Sequence, residues 1–317
     1  MNARRLPNNP IITAQTPGAD PEMATNINGP SLIRVPDWVT NPLGQYYLYF
    51  AHHHGKHIRL AYADDLTGPW RIHEPGVLQL EESRFTSHIA SPDACVDHAR
   101  RQIRLYYHGV LTPDEQAQVQ PEINAPMFRQ QRSRMAVSSD GLRFTEQPDI
   151  VAFAYLRAFD FKGMVYGMTM PGLLYRSPDG SSPFERGPLL FGDDSRRDDF
   201  FFPPGQPSIR HLAVAAAGEM LRVFYSRAGD APECILMSEV DARSADWRDW
   251  QPGPPQVVLT PDEPYEGCDL PLQPSARGAS LVPVRELRDP AVYQEDGRMY
   301  LLYSIAGEQG IGIAELT

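Results

Sequence analysis

The chain has 317 residues with 29 basic and 40 acidic side chains, and its formal net charge of −11 argues against a protein that holds nucleic acid electrostatically. Apolar residues at 42% and aromatic residues at 10% supply a large core and exclude a disordered chain, a collagen or a coiled coil. The longest apolar stretch, Leu212–Ala217, runs at once into Gly218 and Glu219 and is far short of the roughly 18 residues of a membrane helix, so no membrane partner is expected.

Met1–Arg5 leads into Leu6-Pro7-Asn8-Asn9-Pro10 rather than an apolar run, so no secretory signal is visible and a cytoplasmic location is expected. Three widely spaced cysteines, Cys95, Cys234 and Cys268, fit buried thiols in a reducing compartment better than a disulfide framework. The 31 prolines and 24 glycines cut the chain into short apolar runs with little room for helices.

In chain order, Pro10-Ile-Ile-Thr13 reads as a lone strand ahead of five repeats. The first repeat opens on Asn28-Gly-Pro-Ser31, followed by strands Tyr46–Phe50 and Ile58–Ala63, the turn Asp65–Trp70 and a last strand Pro75–Leu80. The second opens on Ser91-Pro-Asp93 and continues through Ile103–Tyr107, Arg134–Ser139, the turn Asp140–Phe144 and Pro148–Phe153. Tyr155-Leu-Arg157 begins the third, with Met164–Met168, Gly172–Ser177, the turn Asp179–Phe184 and Pro188–Phe191. Arg210-His211 begins the fourth, with Leu221–Tyr225, Ile235–Val240, the Asp241–Trp247 stretch and Pro255–Leu259. The fifth has Arg288-Asp-Pro290, Met299–Tyr303 and Gly310–Leu316, and ends at Thr317 without a last strand.

Aromatic and β-branched runs returning about every 60 residues, entered through tight turns, are strands of a repeat architecture. The strand missing from the fifth repeat is supplied by Pro10–Thr13, which closes the ring and removes its exposed edges. The expected fold is therefore all-β, a five-bladed β-propeller occupying residues 1–317 as a single domain, its last blade closed by an N-terminal strand.

The first strand of each blade lines the central channel of a propeller, which brings Asn28, Asp93, Tyr155, His211 and Asp289 to one pocket. Histidines His52, His53, His54, His88 and His108 fall near the same end of the blades and suit proton transfer, hydroxyl binding or metal coordination. Neither a His-Glu-x-x-His helix, a Cys-x-x-Cys pair nor a phosphate-binding glycine loop accompanies them.

The blade pattern, together with Ser91-Pro92-Asp93 and Arg288-Asp289-Pro290, resembles the five-bladed propeller glycoside hydrolases: arabinanases, β-xylosidases, invertases, levansucrases and anhydro-galactosidases, including relatives in glycoside hydrolase families 43, 32 and 117. The resemblance implies a base or nucleophile Asp in blade one, an orienting Asp in blade two and an acid from a later blade. Asp93 matches the blade-two residue, and His211 resembles the acid histidine of the anhydro-galactosidases. Blade one departs from the pattern, because Asn28-Gly29 stands where an Asp usually precedes Pro-Ser, and an amide is neither base nor carboxylate nucleophile.

The expected activity is hydrolysis of a terminal glycosidic bond. Asp93 and Asp289 would be the axial carboxylates, with His211 or Glu233 as proton donor. Asn28, Tyr155, Arg157, Arg227, Arg288, His53, His88, His108 and Glu266 would bind substrate, Glu266 from the long connection between blades four and five. The partner is a carbohydrate and no cofactor is required. Two alternatives stand beside this one: a non-catalytic propeller binding a saccharide or a protein, and an enzyme holding a divalent metal in the channel on His53, His88, His108 and His211.

Overall fold

The computed structural model describes residues 1–119, 130–181, 183–191 and 208–317; Ser182, in the expected third-blade turn, lies outside them. Five antiparallel sheets are arranged as a five-bladed β-propeller. Strand β1 (Ala3–Arg5) is followed by blade one, comprising β2 (Asn28–Arg34), β3 (Tyr46–Ala51) and β4 (His57–Ala63), with β5 (Arg71–Ile72) and β6 (Leu78–Gln79) both on the outer edge of β4. Blade two holds β7 (Thr86–Asp97), β8 (Gln102–Val110), β9 (Gln131–Ser138) and β10 (Thr145–Phe153), and blade three β11 (Arg157–Phe161), β12 (Met164–Thr169), β13 (Leu173–Ser177) and β14 (Glu185–Leu189). Blade four holds β15 (Ser208–Ala217), β16 (Met220–Ala228), β17 (Ile235–Asp241), β18 (Gln251–Pro252) and β19 (Gln256–Leu259), and blade five β20 (Arg288–Glu295), β21 (Arg298–Ile305) and β22 (Gly310–Leu316).

An N-terminal strand closes the last blade, as expected, but it is β1, which pairs antiparallel with β22 from Ala3 opposite Leu316 to Arg5 opposite Ala314. Pro10–Thr13 contributes only a bridge between Ile12 and Ile311. The reason is local: Asn8 takes a left-handed φ of 65°, Pro10 has no N–H to give a ladder, and the chain bends so that Ile11 and Ile12 fill the core beneath blade five.

Each of five apolar clusters lies between two adjacent blades. Tyr47, Tyr49, Leu105 and Tyr107 join blades one and two, Tyr106, Phe153 and Tyr175 join two and three, and Met168, Tyr225 and Trp247 join three and four. Phe224, Leu301 and Tyr303 then join four and five, while Phe50, Tyr293 and Leu302 close the circle. Most of the aromatic content is thereby spent on inter-blade packing. After the outer turns, Trp70, Phe144, Phe184 and Trp247 are buried as the repeat pattern requires.

The innermost strands β2, β7, β11, β15 and β20 neighbour one another around the axis. Four of them carry a β-bulge at equivalent places: Gly29-Pro30, Ser91-Pro92, Arg210-His211 and Asp289-Pro290 each stand opposite a single partner residue. Gly29, Ser91 and Asp289 are left-handed there, with φ of 63°, 48° and 49°, and Tyr155 is left-handed at 66° just ahead of β11. Bulges re-aim side chains, so whether a residue precedes, occupies or follows the bulge decides where it points.

Candidate active site at the propeller axis

A cavity of about 200 Å³ opens at the axial end of the blades, lined by His53 and His54 from the turn after β3, Gln131 from β9, Tyr155, Met170, Arg210 and His211 from β15, and Arg277–Ala279 from the connection between blades four and five. A larger cleft of about 470 Å³ lies between the N-terminal segment and the same connection, but its lining is mostly apolar and carries Asp269 as its one acid. Titratable side chains are concentrated at the axial cavity, which His53, His54, Tyr155, Arg210, His211 and Arg277 line.

Two of the expected carboxylates are treated very differently. Asp93 follows its bulge, where Oδ2 accepts from the Ala158 amide at 2.7 Å and Oδ1 faces Arg157 Nη1 at 3.3 Å. Ser31 holds the same position in blade one and likewise accepts from the next blade's inner strand, the Ala94 amide, at 2.8 Å. Burial pushes the Asp93 carboxyl up, with Arg157 and the Ala158 amide acting against it. Arg157 is buried and also donates to the Pro92 carbonyl at 2.6 Å, so both residues tie blade two to blade three.

Asp289 occupies its bulge and is fully buried. Ser304 Oγ donates to its Oδ2 at 3.1 Å, and its Oδ1 is in contact with Nδ1 of His211. His211 lines the cavity. Burial, and after it the charges of Arg210 and His53, hold its imidazole well below the usual histidine range. With Nδ1 against a carboxylate, Nε2 is the ring nitrogen left to accept a proton.

Behind the wall lies a buried ionic network. Arg210 Nη1 meets Glu233 Oε2 at 3.2 Å; Arg288 meets Glu286 at 2.7 Å, Glu308 at 3.2 Å and Glu233 at 3.6 Å. Ser226 Oγ donates to Glu233 Oε1 at 2.6 Å, and Asn26 and the Ser280 amide donate to Glu308. Burial works to raise the Glu233 and Glu308 carboxyls, yet Arg210 and Arg288 on the first, and His53 followed by those arginines on the second, bring both below the ordinary range. Both stay ionised. The Glu286 carboxyl is pushed up by burial.

A chain of rings forms one side of the mouth. Centroids are 5.0 Å apart for His53 and His54, 5.8 Å for His54 and His88, 6.0 Å for His88 and His108, 3.9 Å for His108 and Tyr155, and 4.4 Å for Tyr155 and His211. Burial lowers His88 to about 4, holds His108 well below its usual value and raises Tyr155 to about 12. The histidines meet edge to face along the chain, and among the described residues no group of three or more His, Cys, Asp or Glu side chains is placed to hold a metal ion.

Of the residues singled out from sequence, His53, Tyr155 and His211 line the cavity, Asp289, Arg288 and Glu233 stand behind it, and His88 and His108 continue the ring chain. Asn28 precedes its bulge, buried, with Oδ1 lacking a hydrogen-bond partner among the described residues. Beside it, at the position that Asp289 fills in blade five, a Cβ on Gly29 would press on Ser91 Cα at 3.1 Å. Arg227 pairs with Asp230 at 2.9 Å, away from the cavity lining. Glu266 is buried in the blade four to five connection, where Arg5 donates to it at 2.6 and 2.7 Å and Tyr303 at 2.9 Å; it fastens β1 to the ring. Cys234 is buried, Cys95 and Cys268 are half-buried, and all three are unbridged.

Sequence reasoning missed Glu308, Glu286, Arg277 and the role of Arg210. Only Arg210 had a signal, as the first of two polar residues at the inner-strand position of blade four.

In fold, this five-bladed propeller is similar to solved structures of glycoside hydrolase family 43. The chain superposes with a TM-score of 0.59 on CoXyl43, a β-xylosidase/α-arabinofuranosidase from a compost microbial metagenome solved with xylotriose, at 13% identity over 93% of this chain and 92% of that one. An exo-1,5-α-L-arabinanase from a bovine ruminal metagenomic library gives 0.58 at 13% identity, covering 93% and 95%. BlXynB of Bacillus licheniformis gives 0.58 at 14% identity; the fit covers 98% of this chain but only 54% of that protein. At such identities the likeness is one of fold. No protein-family model matches. In sequence, the chain is 34% identical to the uncharacterized protein R118 of Acanthamoeba polyphaga mimivirus, over 98% of its own length and 89% of the viral protein's, and it belongs to the same family as that protein.

Proposed function

We propose that the axial cavity is the active site of a glycoside hydrolase that removes a terminal sugar unit, with His211 as its proton-transfer group and Asp289 as the carboxylate that orients it. The observation that carries this reading is the contact of buried Asp289 with the Nδ1 of a histidine lining the cavity. A carboxylate on Nδ1 fixes the tautomer and stabilises the imidazolium formed when Nε2 takes a proton from an attacking water, whose oxygen bonds to the anomeric carbon as the glycosidic bond breaks and the departing oxygen takes its proton from solvent. Because burial keeps His211 neutral at pH 7, this favours an acceptor over the donor role expected from sequence. Glu233, held ionised by arginines, and Glu308, held so by His53 and then those arginines, shape the wall instead of exchanging protons. A volume of about 200 Å³ is below the usual range for drug-sized ligands and suits one sugar ring rather than an internal stretch of polymer. The sugars acted on or bound by the fold's neighbours support a carbohydrate as the ligand.

A second reading, a propeller that binds a saccharide without cleaving it, is favoured by one observation: the bulge of blade one carries Gly29 where that of blade five carries Asp289. A panel of aryl glycosides and oligosaccharides with product analysis separates the two. Turnover that disappears in His211→Ala supports the hydrolase; binding with no released product in any case supports the second reading.

A further inference from the structure

Blade three differs from the other four at its inner edge. β11 pairs with β12 residue for residue, from Arg157 opposite Met168 to Phe161 opposite Met164, with no bulge to aim a side chain at the axis. Tyr155, two residues ahead of the strand, reaches the cavity instead through a left-handed backbone at φ 66°. That conformation costs energy in any residue with a Cβ and persists only where its surroundings enforce it.

The enforcement comes from both sides. Buried Ser133 of β9 brackets the turn with one hydroxyl: Oγ donates to the Phe153 carbonyl at 2.7 Å and accepts from the Leu156 amide at 3.4 Å, with Tyr155 between them. Phe153, Ala154 and Leu156 are buried and anchor the segment. What the turn delivers is a ring placed between two others. Its centroid lies 3.9 Å from that of His108 and 4.4 Å from that of His211, with planes tilted by 40° and 44°. His108 is itself buried and backed edge-on by His88 at 6.0 Å, so a retreat of the tyrosine ring from His211 would disturb the packing of blade two.

We infer that Tyr155 is a positioning residue: its ring, gripped between His108 and His211, holds the His211 imidazole on Asp289 and so keeps the proton on Nδ1 and leaves Nε2 free. This rests on the reading of His211 as the proton-transfer group. Asp289 meets the imidazole at one atom, Nδ1. The outer torsion of a histidine side chain is broad, and a contact at one atom leaves part of that freedom, which an aromatic ring packed alongside removes. The ring is what acts, and the hydroxyl is not required.

The test is nitrogen NMR of the whole chain carrying isotope-labelled histidine, at pH 7 and without a sugar, with His211 distinguished among the nine histidines by the signals lost in His211→Gln. The unaltered protein should show His211 protonated on Nδ1. In Tyr155→Leu the ratio of that tautomer to the other should fall about two- to tenfold, the worth of an aromatic pair, and in Tyr155→Phe it should be restored. A ratio unmoved in Tyr155→Leu, or one that falls as far in Tyr155→Phe, overturns the inference. Should Tyr155→Leu fail to fold, Ser133→Ala, which keeps the ring and removes its bracket, should shift the ratio in the same direction, and an unmoved ratio there overturns the inference equally. An unaltered protein with the His211 proton on Nε2 removes the reading of His211 and the inference with it. A tautomer that follows Tyr155 as expected, while no aryl glycoside is cleaved, leaves the positioning in place and removes the hydrolase.

Discussion

Asp93 and Asp289 come from equivalent strands of the same propeller, each beside a proline at a bulge, and of the two Asp289 touches a residue that lines the cavity. Asp289 sits within its bulge and meets His211; Asp93 sits one residue beyond the proline, and there the carboxylate accepts the Ala158 amide of the next blade. A shift of two positions along a bulged strand changes an axial group into a strut between blades. Ser31, doing for blades one and two what Asp93 does for blades two and three, shows that the second duty needs an acceptor and not a charge.

The largest effect expected from this contrast is on rate. His211→Ala should lower turnover of whichever glycoside is a substrate by about 10²–10⁴ in protein that circular dichroism shows to be folded, and a loss under tenfold would move the proton-transfer role elsewhere. Asp93→Ala should act on the other quantity. It leaves Arg157 buried without its carboxylate, and urea denaturation should show about 3 kcal/mol less stability.

Acidification comes next. His88, His108 and His211 are all held low by burial, so the unfolded chain takes up these protons near pH 6.5 while the folded chain does not. Their stabilisation is complete above pH 6.5 and is lost progressively as pH falls below it, for His88 down to about 4, each histidine costing about 1.4 kcal/mol per pH unit. Denaturation midpoints at pH 7 and pH 5 read this directly, and His108→Gln should flatten the slope by one proton. The smallest effect is at Gly29, where φ is 63° and a Cβ would press on Ser91: Gly29→Ala should cost about 1–2 kcal/mol. A neutral result would mean that blade one has space for the side chain it lacks.

The blades were legible in the sequence because aromatic and β-branched runs such as Tyr46–Phe50 and Leu221–Tyr225 carry their strand preference locally, with turns to separate them. Ala3–Arg5 was not, since a three-residue segment with two arginines has no alternation of its own and becomes a strand only because β22 offers an edge. The cavity was half legible. His211, Tyr155 and Asp289 stand on inner strands whose register can be counted, but Glu308 lies in the Gly307–Gly310 turn, Glu286 just before β20 and Arg277 in a long connection, where charged residues read as solvated surface until ring closure buries them. Glu266 shows the converse: a carboxylate in that same connection holds the N-terminal strand and contributes nothing to the lining.

The central claim, that the axial chemistry belongs to Asp289 and His211 and not to Asp93, is tested most directly by measuring turnover of Asp289→Asn and Asp93→Asn side by side on one substrate. The account predicts a loss of at least about a hundredfold for Asp289→Asn and less than tenfold for Asp93→Asn, whose amide oxygen still accepts from Ala158. Equal losses, or a greater loss from Asp93→Asn at unchanged stability, would contradict it.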